Sequence, residues 1–463
     1  MIEADPGSFR DVAGTVFHVD GRILRTVGKA AAEDFDFLHD CGLLDELVAA
    51  GRMVDAWKVD ADIRQDAHYV LEHPRLPFIS YPYEWCFTAL KSAALLHLDV
   101  HLSALDKGMT LSDASAYNVQ FIGSRPIFID ALSFRRYRQG EFWLGYRQFC
   151  RQFLNPLLLR SLFAIPHNDW FRGSLEGIPT EELRRMLSPR HFFSGNILTH
   201  VVLQAALGPS DGGGLEISRQ DIGNRTFPLS ALRRMLRKLR TWISGLKPGD
   251  RSGTQWREYE TFKSYSDAET GAKKAFVAEF CEAVRPAMLW DMGCNTGEFS
   301  KAALDSGAGR AVGWDMDQNA LDIAFTAADQ SGIAFTPLFG NAANPSPAQG
   351  WNQAERMGWF ERGPAEAVLA LAFVHHLAIT HNAPLNGIIG LLISIAPTGV
   401  IEFAPKSDPQ IQRMLQLRDD IFNDYAMENF SEALSRRARI IKSGTLEPSG
   451  RKLIWFDARE ASS

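Results

Sequence analysis

LWDMGCNTGEFS, residues 289–300, is the stretch whose reading decides the fold. The apolar run PAMLWDM (286–292) is the pattern of a buried strand that ends at Asp291. Gly293 and Gly297 then punctuate a turn, and EFSKAALDSG continues as a helix. Glycines at such a turn permit positive φ and let the backbone approach a ligand closely. A strand, a glycine turn and a helix in that order put a ligand at the carboxyl edge of a sheet, beside a helix N-terminus.

The sequence on either side repeats the theme. RAVGWDM (310–316), IAFTPLF (333–339), AEAVLALAF (365–373) and VIEFA (400–404) are further apolar runs, separated by helical patterns such as QNALDIAFTAADQSG and LNGIIGLLISI. Continuous apolar strands alternating with helices predict a mostly parallel sheet covered on both faces. The tail ARIIKSGTLEPSGRKLIWF predicts an antiparallel closing hairpin around Pro-Ser-Gly. The expected class for residues 256–463 is therefore α/β, with a Rossmann-like sheet.

Two ligand classes compete for the turn. A dinucleotide loop needs G-x-G-x-x-G, but the frame reads Gly293-Cys294-Asn295-Thr296-Gly297-Glu298, so its second and third glycines are missing. The pattern D-x-G-x-x-x-G of S-adenosylmethionine (SAM) sites is matched by Asp291, Gly293 and Gly297. SAM has no pyrophosphate and carries a sulfonium and an ammonium, which an acidic strand end suits. About 20 residues on, AVGWDMD ends a strand at Asp315, where a carboxylate accepts hydrogen bonds from ribose hydroxyls. Cys294, Asn295 and Met316 flank these anchors, and small size at a crowded turn accounts for Cys294. Asn341 and Ala342 follow the third strand, at the place expected to meet adenine.

WREYETFKSYSD, DMGCNTGEFS, GWDMD, NPSPAQGW, LALAFVHHLAI and IEFAPKSD together resemble class I SAM-dependent methyltransferases. More narrowly, the chain resembles the bacterial nodulation host-specificity (NoeA-like) methyltransferases, through YPYEWCFTALKSAALL, LSDASAYNVQF and RPIFIDALSF in the N-terminal half as well. The resemblance implies SAM as cofactor and an unidentified methyl acceptor: a glycan, a small molecule or a protein. It also implies that Tyr259 and Tyr265 belong to a lid over SAM. The alternatives are a bifunctional kinase–methyltransferase and a catalytically silent SAM-binding scaffold.

Methyl transfer needs alignment of the acceptor and an outlet for its proton. His375, His376 and Glu402 lie where strands four and five end, and they are the candidates for that work. A lone carboxylate in the apolar strand VIEFA is costly, so Glu402 is expected to have a partner, His376 or a backbone donor. Ala372-Phe373-Val374-His375 stands where nucleic-acid N-methyltransferases carry an Asn-Pro-Pro-Tyr-type motif, which disfavours a nucleic-acid base as acceptor.

Residues 1–206 are expected to form an α+β domain. VFHVDGRILRTV (16–27) reads as a hairpin turning at Asp20-Gly21, and residues 85–108 as a long apolar helix. Asp113, Asn118 and Asp130 have a spacing similar to the catalytic loop and magnesium-binding residues of protein-kinase-like and aminoglycoside-phosphotransferase-like folds, which makes Asn118 and Asp130 the candidate metal ligands. No glycine-rich phosphate loop and no VAIK-type lysine accompany them, so the resemblance is to a degenerate kinase-like fold. Between the two domains, residues 207–255 read as a linker. It contains SALRRMLRKLRTWISGL, a basic amphipathic helix over 230–247 that suits either docking on a domain or an anionic partner.

The 463 residues, 46% hydrophobic, suffice for two cores. The net charge of -6 gives no general support to nucleic-acid binding. Five widely spaced cysteines with no CxxC pair fit a reducing compartment. No signal peptide or transmembrane segment is read, so the expected location is cytoplasmic.

Overall fold

The structure, a computed structural model, describes residues 2–11, 13–63, 67–206, 227–249, 267–416 and 419–459. The chain forms two compact units. The first is Met1–Arg251 with Gln349–Arg356, and the second is Ser252–Ala348 with Met357–Ser463.

The first unit opens with an antiparallel sheet ordered β1-β2-β3-β5-β4. Its strands are β1 (Ile2–Ala4), β2 (Val16–Val19), β3 (Arg22–Val27), β4 (Trp57–Val59) and β5 (Tyr69–His73). The β2–β3 hairpin turns at Asp20 and Gly21, with φ of 49° and 82°. Two positive φ values match the twist of the flanking strands. The apolar helix Phe87–Asp106 follows, burying Leu90, Ala93, Ala94 and Leu98. Two short ladders come next, β6 (Met109–Leu111) with β9 (Phe134–Arg136), and β7 (Val119–Ile122) with β8 (Arg125–Phe128).

The basic helix spans Leu229–Gly245 and belongs to this first unit rather than to a free linker. Leu232, Leu236, Leu239 and Ile243 form its buried stripe, which packs against Phe87–Asp106. Arg240 pairs with Asp99, and Arg233 lies 2.9 Å from Asp106. An apolar stripe of that width is stabilised only when another surface covers it.

The second unit holds a seven-stranded sheet ordered β12-β11-β10-β13-β14-β16-β15. Strands β10 (Leu289–Met292), β11 (Ala311–Asp315), β12 (Phe335–Phe339), β13 (Ala367–Ala370) and β14 (Thr398–Phe403) run parallel. β15 (Arg439–Leu446) and β16 (Arg451–Asp457) close the sheet antiparallel, as the tail sequence predicts. β10 and β13 are fully buried, because helices cover both faces. The order runs outward from β10 to β12 on one side and from β13 to β14 on the other. That reversal falls between β10 and β13, and it is at the carboxyl ends of the strands at such a point that open α/β sheets bind ligands. The fourth strand is shorter than its apolar run. It stops at Ala370, and Ala372 takes φ of 49°, which no strand continues through.

Candidate functional site

The glycine turn is built by crowding. Gly293 and Gly297 have φ of 79° and 82°. A Cβ on Gly297 would run into the Phe335 ring. Gly313 of β11 is equally confined, since a Cβ there would lie 2.6 Å from the Phe335 ring and 2.7 Å from Cys294 Sγ. Cys294 therefore fills a space that admits nothing larger, and burial pushes its thiol well above the ordinary range, against use as a nucleophile. Gly297→Ala is expected to cost about 2 kcal/mol or more from positive φ and overlap together. That corresponds to a fall of about 4–8 °C in the melting temperature of the second unit, read by differential scanning calorimetry. An unchanged melting temperature would refute the crowding argument.

Two acidic side chains stand on adjacent strand ends. Asp291 is buried, and its Oδ2 accepts a 2.6 Å hydrogen bond from Ser300 Oγ, in the first turn of the helix Glu298–Asp305. Burial pushes Asp291 up to about 7, with the Asp315 charge adding to it. Asp315 accepts from the backbone N–H of Asn295 on Oδ2 and of Asp317 on Oδ1, both at 2.8 Å. Burial raises Asp315 as well, and these two N–H donors oppose the rise. Gly293 and Cys294 N–H donate to Trp314 O, which locks the turn to β11. Met316 is exposed beside Asp315.

Asn341 and Ala342 follow β12, and Gly340 N–H donates to Asp315 O at 2.9 Å, tying that turn to the same strand end. Asn341 Oδ1 accepts from Ala343 N–H, so its side chain is engaged in its own turn. Tyr259 and Tyr265 lie outside the described residues.

The residues fit SAM on the chemistry of the donor set. Two carboxylates and a glycine turn lie at the carboxyl ends of β10 and β11, beside the N-terminus of the helix Glu298–Asp305. Asp291 and Asp315 would face the cation and the ribose, and Gly293 to Gly297 would supply the close backbone.

His375 and His376 do not continue strand four. They lie on the helical turn after it, with ring centroids 4.4 Å apart. Burial lowers His375 to about 2. Glu402 corrects the expectation of a substrate-facing carboxylate. It is fully buried, 2.7 Å from Lys273 Nζ and 2.9 Å from Arg451 Nη1, and its Oε2 accepts from Ala372 N–H at 3.0 Å. Its partners are therefore two cations and a backbone donor, not His376. Arg451 also grips Asp408 through Nε at 2.6 Å and Nη2 at 2.9 Å. A carboxylate held between two buried cations is framework, because moving it would break two buried ion pairs at once. Burial lowers Lys273 to about 8, against the pull of Glu402.

Lys273, Ser300, Gln410 and Arg451 are absent from the sequence reading of the site. Ser300 had a local signal, being a first-turn residue facing the strand end. Lys273 and Arg451 had none, because each lies far along the chain from Glu402.

In the first unit the structure brings Asp113, Asn118 and Asp130 together. Asn118 Nδ2 donates to both Asp113 oxygens, at 3.2 and 3.1 Å. Ser133 Oγ lies 2.8 Å from Asp113 Oδ1 and 2.5 Å from Asp130 Oδ2. Arg25, on β3, pairs with Asp130 at 2.5 Å and with Asp11. Burial and the nearby Asp130 raise Asp113 to about 6. Burial pushes Asp130 up too, but Arg25 and Ser133 outweigh it and hold Asp130 below the usual range. The carboxylate that would hold a divalent cation, Asp130, is paired with the Arg25 guanidinium. Among the described residues no group of three or more His, Cys, Asp or Glu side chains is placed to bind a metal ion. In this structure Asn118 and Asp130 are members of an internal hydrogen-bond and ion-pair network with Asp113, Ser133 and Arg25.

Among the described residues, no helix is long and apolar enough to cross a membrane. No family model matches the chain. Magnesium protoporphyrin IX methyltransferase (ChlM) from Synechocystis PCC 6803, solved with bound SAM, aligns with 44% of this chain and 92% of its own at 16% identity and a TM-score of 0.32. The N-methyltransferase NodS from Bradyrhizobium japonicum WM9 aligns with 42% of this chain and 98% of its own, at 10% identity and a TM-score of 0.30. Nodulation protein NoeA of Rhizobium meliloti (strain 1021) is 46% identical over 458 residues, which is 98% of this chain and 96% of that protein. At that identity over nearly the full length of both chains, and with a Rossmann-like sheet in its second unit, this chain belongs to the NoeA family of nodulation proteins.

Proposed function

We propose that the second unit is a SAM-dependent methyltransferase and that the first unit recognises the methyl acceptor. The observation that carries the reading is the pair of carboxylates, Asp291 and Asp315, on adjacent strand ends around the Gly293–Gly297 turn. Bound SAM supplies an electrophilic methyl on a sulfonium. The chain's part is to hold the cofactor's cationic and ribose ends at Asp291 and Asp315, and to present the acceptor from the β13 side of the crevice. His375 and His376 stand on that side, and Glu402 holds the loop before them through Ala372 N–H.

Calorimetric titration of the full chain with SAM tests the reading, and absence of binding would refute it. The titration also has an expected pH dependence. Asp291 sits near 7, so it holds its proton at pH 6 and has lost it by pH 8. A cationic ligand favours the ionised form. SAM affinity should therefore rise by up to about tenfold between pH 6 and pH 8 and level off above that. Protons should be released on binding at the lower pH, seen as a dependence of the heat on buffer ionisation enthalpy. An affinity that falls with pH across this window would exclude Asp291 as the cation's partner.

In the kinase alternative Asp130 would have to exchange Arg25 for a magnesium ion. Millimolar Mg-ATP should leave the melting temperature of the first unit unchanged, and a rise of several degrees would revive the alternative. An anionic partner for the basic helix remains our proposal on Arg234, Arg237 and Lys238, which are exposed on the face away from the buried stripe.

A further inference from the structure

His376 is half-buried, and its Nε2 lies 3.3 Å from Gln410 Nε2. Two facing nitrogens bond only if one donates and the other accepts. The orientation of the Gln410 amide settles which. Arg451 Nη2 lies 3.2 Å from Gln410 Oε1, and a guanidinium has donors only. The amide oxygen must therefore face Arg451, which leaves the amide NH2 facing His376. An NH2 group donates, so His376 Nε2 accepts, and the proton of the neutral ring sits on Nδ1. Among the described residues Nδ1 has no hydrogen-bond partner, and it is not sealed from solvent.

Arg451 is in turn immobilised. Asp408 grips it on two nitrogens and Glu402 on a third, and Glu402 is held by Lys273 and Ala372 N–H. The tautomer of His376 is thus fixed by a buried relay, Lys273–Glu402–Arg451–Gln410. The charged and titratable groups around the ring disfavour a second proton. Burial is the largest effect, followed by Arg451 and His381, while His375 lies beside it as a second neutral ring.

We propose that His376 acts as a neutral hydrogen-bond donor through Nδ1–H, and that it holds a lone-pair-bearing atom of the methyl acceptor instead of serving as the base. Gln410 and Arg451 are the positioning residues that impose this role. The inference rests on the methyl-transfer reading for its function, while the tautomer stands on the geometry alone. The acceptor it selects carries a hydroxyl, a carbonyl or an unprotonated nitrogen at that point, and a protonated amine has no lone pair to offer there.

The test is long-range proton–nitrogen NMR of the full chain labelled with 15N-histidine, with His376→Gln assigning the signals. The expected wild-type result is an Nδ1–H tautomer at pH 8, with a titration midpoint below the ordinary histidine value. In Gln410→Glu the carboxylate accepts instead of donating. The tautomer should switch to Nε2–H, and the titration midpoint should rise by about one pH unit or more. A wild-type Nε2–H or averaged tautomer, a wild-type titration near the ordinary histidine midpoint, or no switch in the variant would each overturn the proposal. SAM calorimetry on the same samples separates the two readings. Loss of SAM binding with the Nδ1–H tautomer intact removes the methyltransferase reading, whereas the wrong tautomer with SAM bound removes only the role of His376.

Discussion

Glu402→Ala should lower the unfolding free energy of the second unit by about 3–5 kcal/mol, the cost of breaking a buried ion pair by removing one partner. Lys273, Glu402 and Arg451 are all 0% exposed at their side chains, and Asp408 is 2% exposed. Lys273 and Arg451 face Glu402 and Asp408 in this cluster, and Glu269 adds to the pull on Lys273. Removing Glu402 takes away the buried carboxylate that Lys273 and Arg451 share, and it strips Ala372 N–H of its acceptor. Glu402→Gln retains the shape but loses the charge, and it should fall between wild type and alanine. The pH dependence of the deficit has a definite sign. Lys273 titrates near 8 in the fold against 10.5 ordinarily, so the unfolded chain binds more protons in that window. Without Glu402 the folded value drops further, and Lys273 escapes the penalty by losing its proton. The alanine deficit should therefore shrink as pH rises toward 8 and level off above it. Guanidinium unfolding, followed through the transition of the second unit, measures it. A deficit under about 1 kcal/mol would show that water reaches the cluster.

Asp315→Ala should weaken SAM binding by about 100-fold or more. Two hydrogen bonds from ribose hydroxyls to a carboxylate contribute about 1.5–3 kcal/mol each, and tenfold in affinity corresponds to about 1.4 kcal/mol. The substitution also releases Asn295 N–H and Asp317 N–H, so the glycine turn loses a tie to β11. Asp315→Asn keeps the size and one acceptor oxygen but turns the other end into a donor facing a backbone N–H. Its affinity should be intermediate. Calorimetric titration at pH 8, with melting temperatures to verify folding, gives the answer. Affinity within about threefold of wild type in the alanine variant would remove Asp315 from the site.

Much of the second unit was legible along the chain, for a local reason. Strand, glycine turn and helix at 286–305 are adjacent in sequence, and the apolar runs fix parallel strands without reference to distant residues. Asp315 was legible because it ends the next strand. The overestimate of strand four had an equally local cause. AEAVLALAF is apolar throughout, but its last residues turn at Ala372 to carry the histidines, and apolarity alone does not distinguish a buried turn from a strand. In the first unit the spacing of Asp113, Asn118 and Asp130 correctly gathered three side chains, while Arg25, a cation in the buried part of a hairpin strand, changed what the gathering can bind.

The sequence by itself determined the order of elements, the parallel core with its antiparallel closure, and the acidic and glycine residues of the crevice, since each follows from neighbours within a few residues. Only the tertiary structure decided the electrostatics. Glu402 acquires its meaning from Lys273, 129 positions earlier, and from Arg451, 49 positions later. His376 acquires its tautomer from Gln410 and Arg451. The Leu229–Gly245 helix acquires its place from the face of Phe87–Asp106 that covers it. Charge pairing depends on distance in space and on exclusion of water, and neither is written in the spacing of residues along the chain.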